Sequence, residues 1–91
     1  MDIKYEKEKA KEMLALINEY AASSNKKTVN EKLNKLAEEL YYKKREIISQ
    51  KMIDLALAVH SFTQAAVSGG HFQDLEEFIP DLEEICGREK I

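Results

Sequence analysis

Apolar residues return every three or four positions along most of this chain, with Lys and Glu filling the gaps between them. Ile3, Ala10, Met13, Leu14, Ile17, Tyr20 and Ala21 follow that rhythm, which predicts an amphipathic helix over roughly residues 3–22. Ser23, Ser24 and Asn25 follow, three residues whose side chains compete for backbone hydrogen bonds and so mark its end. Thr28 and Glu31 then stand at the spacing of a capping box, which predicts a second helix starting near Val29 with Leu33, Leu36, Ala37, Leu40 and Tyr41 inward.

No Gly or Pro occurs between Thr28 and Ser68, and the apolar series runs on through Ile47 or Ile48, Met52, Leu55, Val59, Phe62 and Ala66. Read as one helix of about 40 residues, this stretch would be ~60 Å long and would need a second chain to cover it. The alternative is a break inside Tyr41–Glu46, where Tyr42 to Glu46 separate two apolar stripes; usual helix lengths favour the break. A third helix over 46–67 is then the most apolar and is expected at the centre of the fold, ending at Ser68-Gly69-Gly70. Phe72, Leu75, Phe78, Ile79, Leu82, Ile85 and Cys86 form a fourth apolar series. Pro80 lies within it and lacks the N–H that an interior helical position supplies, so a kink, or two short helices meeting at Ile79, is expected. The reading is all-α: an antiparallel four-helix bundle forming a single domain over 1–91, its last helix kinked or split at Pro80.

Composition narrows the class. At 91 residues and 44% hydrophobic, the chain can build one small core but not two, and 34% charged residues argue against fibrous architectures. No apolar run reaches the length of a membrane span, and the charged start of the chain does not resemble a signal peptide, so a cytoplasmic protein is expected. The formal charge of −3 hides a division: residues 26–45 carry a net +4 and residues 71–91 a net −5. The basic segment, with Tyr41 and Tyr42 beside Lys43, Lys44 and Arg45, is read as a solvated helix face and not as a nucleic-acid interface. Along the last segment Asp74, Glu77, Asp81, Glu84 and Arg88 follow 3,4,3,4 spacing and form the candidate partner-recognition stripe, with a plain solvent face as the alternative.

Candidate chemistry is sparse. Neither His60 nor His71 has a second ligand at helical spacing, Cys86 is alone, and the adjacent pairs Glu38/Glu39, Glu76/Glu77 and Glu83/Glu84 splay about 100° apart on a helix. No catalytic, metal or cofactor residue is assigned. Ser49-Gln50 followed by Asp54 resembles the Ser-Gln-x-x-Asp signature of helical phosphatases acting on response-regulator aspartates, with the Asp one residue late and turned off the shared face.

The order of elements resembles the immunity proteins of pediocin-like (class IIa) bacteriocins over residues 8–86. The similarity lies in Met13-Leu14-Ala15-Leu16-Ile17, a Ser/Asn/Lys-rich loop, Leu33-Asn34-Lys35-Leu36-Ala37-Glu38-Glu39-Leu40, Ile47-Ile48-Ser49-Gln50-Lys51-Met52, a glycine turn, and Phe78-Ile79-Pro80-Asp81-Leu82-Glu83-Glu84-Ile85. The resemblance implies a cytosolic, non-enzymatic bundle that protects a producer cell by engaging a mannose phosphotransferase permease once the bacteriocin has bound it. It implies no cofactor, and a monomer. The alternative class is a small regulatory or phage-type interaction protein working as a homodimer through a long central helix.

Overall fold

A computed structural model describes residues 2–72 and 74–87, and within them the chain is helical with no strand. Helix α1 spans Ile3–Ala22, α2 Lys26–Lys43, α3 Gln50–Val67 and α4 Ile79–Cys86; short 3-10 turns at Arg45–Ile47 and Glu76–Phe78 precede α3 and α4. The fold is an all-α bundle of four helices. Contacts between helix ends give its direction. Tyr5 at the start of α1 meets Glu39 near the end of α2, Asn30 near the start of α2 meets Thr63 near the end of α3, and Lys51 at the start of α3 meets Glu84 near the end of α4. Each helix therefore runs against the next.

Asp2 caps α1, its carboxylate accepting the Tyr5 N–H at 3.0 Å. The face turned inward carries Ala10, Met13, Ile17 and Tyr20, together with Glu6 and Lys7. Ile3, expected in the core, is 44% exposed, and Ala21 is exposed as well, because each lies at the edge of the face that carries Ala10, Met13, Ile17 and Tyr20 inward.

Helix α2 begins three residues before the expected Val29. Its N-cap is Asn25, which makes no side-chain capping bond, so the Thr28–Glu31 capping box does not form. The earlier start brings Lys26 to the last turn of α1. There its Nζ donates to the Tyr20 carbonyl at 2.6 Å and lies 4.6 Å from the Tyr20 ring centre, satisfying a carbonyl that the helix end leaves without a partner.

The break between the second and third helices is real, but it falls at Lys44–Ser49, later than Tyr41–Glu46, and α3 starts at Gln50 instead of 46. Three contacts place it. Ser49 caps α3, its Oγ accepting the Met52 N–H at 3.3 Å. The Ser49 N–H donates to the buried carboxylate of Glu6, and the Asp2 N–H donates to the Ile47 carbonyl at 2.7 Å. Ile48, extended between these anchors, is buried. The first turn of α1 thus clasps the connection between α2 and α3.

Met52, Leu55, Ala56, Val59 and Thr63 turn α3 inward, while Leu57 and Val67 are 43% and 54% exposed. The middle of the fold is α1 and α2, not α3: α1 packs on α2 and α4, and α2 packs on α1 and α3. Helix α3 ends in paired bonds, Gly69 N–H to Ala66 and Gly70 N–H to Ala65, with Gly69 at φ +96°. A side chain at Gly70 would put its Cβ 2.7 Å from the Ala65 carbonyl oxygen, so glycine is required there by contact. Pro80 falls in the first turn of α4, just after the 3-10 turn, where its missing N–H breaks no helical bond. The segment is split at Ile79 accordingly. Leu75, Phe78, Leu82 and Ile85 bury it.

Candidate functional site

The five residues of the acidic stripe do not share one helix. Asp74 lies in the loop after α3, where its Oδ1 accepts the Glu76 N–H at 2.8 Å and starts the 3-10 turn. Glu77 is exposed within that turn. Asp81 and Glu84 stand one turn apart on α4, and Arg88 lies outside the described residues. The 3,4,3,4 spacing therefore crosses a loop, a 3-10 turn and a helix, and only Asp81 and Glu84 act together.

What joins them is Lys51, from the first turn of α3. Its Nζ is 2.6 Å from Glu84 Oε2 and 3.6 Å from Asp81 Oδ1. The hydrogen bond that the Lys51 ammonium donates to Glu84 is the largest influence on it and holds its pKa above the ordinary lysine value, with burial working the other way. On the same side of α3, Gln50 Nε2 donates to Asp54 Oδ1 at 2.9 Å. Between α3 and α4 runs a groove of about 580 Å³ lined by Lys51, Asp54, Leu55, Ala58, Phe78 and Asp81. Phe62 meets Phe78 edge to face, ring centres 5.2 Å apart. The groove thus combines an apolar floor with carboxylates at its rim.

The electrostatic setting is lopsided. Residues 49–87 contain seven Asp and Glu side chains against a single Lys, whereas residues 2–48 carry eleven basic against nine acidic. All of the groove's lining residues come from the acidic segment 49–87.

The remaining candidates are occupied with structure. Among the described residues no group of three His, Cys, Asp or Glu side chains gathers in a metal-binding arrangement. His60 Nε2 is 3.6 Å from Glu38 Oε2 with the Tyr42 ring against its edge, and His71 is exposed in the loop. Cys86 is half-buried; burial pushes its thiol up in pKa, against the opposing pull of Lys11 and Lys7, which disfavours the thiolate. Ser49 spends its hydroxyl on the α3 cap. Gln50 and Asp54 do share a face, being hydrogen-bonded one turn apart, but Ser49 is turned away from them.

No family model, curated protein or solved structure matches this chain.

Sequence reasoning passed over several residues that organise the molecule. Lys51 was one Lys among many, and only its register against α4 gives it two carboxylates. Asn30, Asn34 and Thr63 form a polar seam between α2 and α3. Asn30 Nδ2 donates to the Thr63 carbonyl and Asn34 Nδ2 to Thr63 Oγ1, each at 3.0 Å, while Thr63 Oγ1 donates to the Val59 carbonyl at 2.9 Å. The available signal was the spacing of Asn30 and Asn34, one helical turn apart beside Val29 and Leu33 on the face that packs.

Proposed function

We propose that this protein is a docking protein of the bacteriocin-immunity type, which protects its cell by binding a partner through the α3–α4 edge. The observation that carries the reading is the cluster of Lys51, Asp81 and Glu84 at the rim of an apolar groove built from the acidic segment 49–87. The four-helix architecture agrees with the resemblance along residues 8–86, whose partner is a mannose phosphotransferase permease carrying its bacteriocin, met from the cytoplasmic side. Among the described residues no helix is long and apolar enough to cross a membrane. The competing homodimer reading rested on one helix through residues 28–67, and the chain breaks that helix at Lys44–Ser49.

Expression in a strain sensitive to class IIa peptides tests the proposal. Protection against at least one member of a panel is expected, and reversing Asp81 and Glu84 to Lys should reduce it while the melting temperature stays nearly unchanged, since exposed ion pairs add little to folding. Leu55→Ala should lose protection together with stability, about 2–5 kcal/mol for a buried leucine. A folded, well-expressed protein that protects against none of the panel would overturn the reading.

A further inference from the structure

We infer that the α3–α4 groove receives a cationic amphipathic helix of the partner, with a basic side chain of that helix taking the place Lys51 holds between Asp81 and Glu84. This deepens the docking reading above and rests on it. Three observations lead there.

The groove floor is apolar, built from Leu55, Ala58 and Phe78. From Lys51 to Ala58 it follows two turns of α3, about 10 Å, which is room for the i, i+3/i+4, i+7 anchors of a short helix. The rim is acidic, with Asp54 on one side and Asp81 and Glu84 on the other. Finally, the rim already holds a cation. The Lys51 ammonium, 2.6 Å from Glu84 and 3.6 Å from Asp81, shows that these two carboxylates are spaced to grip one amine between them. Lys51 and Glu84 are both partly open to solvent, so an incoming amine or guanidinium can compete for the same oxygens.

An acidic partner would meet the three rim carboxylates Asp54, Asp81 and Glu84 against Lys51 alone. Among the described residues the apolar stripes of α1, α2, α3 and α4 are each turned into the common core, which leaves a second copy no free amphipathic helix to offer. The occupant is therefore a basic amphipathic segment of another protein.

Lys51 gives the proposal a signature that a structural role would not produce. As an internal competitor, its removal should strengthen binding. The probe is a short synthetic amphipathic helix of leucine and lysine, titrated into the full chain and followed by calorimetry and by amide chemical shifts. Two control peptides separate shape from charge: lysine with serine, which keeps the charge and loses the apolar face, and leucine with glutamate, which keeps the apolar face and inverts the charge. The expected result is saturable binding of the leucine–lysine peptide alone, with shifts concentrated at Leu55, Ala58 and Phe78. Lys51→Met should tighten it by about threefold, and Asp81→Lys with Glu84→Lys should weaken it by at least about tenfold. Equal binding of the lysine–serine peptide, shifts centred elsewhere, no binding, weaker or unchanged binding by Lys51→Met, or self-association that fills the groove would each overturn the inference. The cell assay separates the two levels. Peptide binding without protection removes the immunity reading and leaves the groove assignment standing; protection without peptide binding does the reverse.

Discussion

Individual side chains show how far a polar group's role depends on its neighbours in space. Thr63 is fully buried, and its hydroxyl both accepts from Asn34 and donates to the Val59 carbonyl. Thr63→Val keeps the shape and deletes both bonds, so a loss of about 1–2 kcal/mol is expected by chemical denaturation, and a double-mutant cycle with Asn34 should show coupling. Tyr5 makes the opposite case, a group whose titration reports the fold. Burial first, then the negative charge of Glu39 and the hydrogen bond to it, push the Tyr5 hydroxyl from 10.0 up to about 12. The folded state thus favours the neutral phenol. Its contribution to stability is complete below the unfolded value near 10 and disappears as pH rises through about 12. Burial, with the charge of Asp74, also raises the pKa of the Tyr20 hydroxyl. Tyr5→Phe should therefore remove one late-titrating component from the tyrosinate absorbance curve, leave that of Tyr20, and reduce the slope of the stability profile between the two Tyr5 values. Neither role was legible in the sequence. Apolar spacing identifies Met13, Leu33 or Val59 as core because any well-packed partner will serve, whereas a phenol or a hydroxyl needs a particular partner that the pattern does not name.

At the scale of elements, legibility followed the nature of the signal. All four helices were readable from period alone, and the Ser68-Gly69-Gly70 stop was readable because a left-handed residue strongly favours glycine. Boundaries set by contacts between distant segments were not. The box at Thr28 and Glu31 lost to a helix start that lets Lys26 close the end of α1, and the break after Lys43 is placed by Glu6, 43 residues before Ser49. Nothing local in Tyr41–Glu46 carries that information. If the clasp positions α3, then Glu6→Ala should cost about 1–3 kcal/mol by leaving the Ser49 N–H without its acceptor. Amide exchange should accelerate first at residues 44–49, and Glu6→Gln, which keeps an acceptor oxygen, should lose less.

For the molecule as a whole, the candidate site was half legible. Net charge by segment pointed to the acidic C-terminal part, and Asp81 and Glu84 were within the stripe that spacing selected. The groove beside them was invisible, because it is made where α3 and α4 meet and the sequence does not say which helices become neighbours. One consequence of the α1 clasp reaches beyond a single chain. Lys44–Ser49 contains no glycine or proline, and the apolar series on either side would continue in register through it as helix. The connection is a hinge kept bent by the first turn of α1, distant along the chain but directly against it in space. Release it, and α2 and α3 can straighten into one rod whose exposed stripe is covered by the matching stripe of a second chain, an exchange of halves between two copies. At high protein concentration Glu6→Ala should therefore sediment partly as a dimer that dilution only slowly returns to monomer.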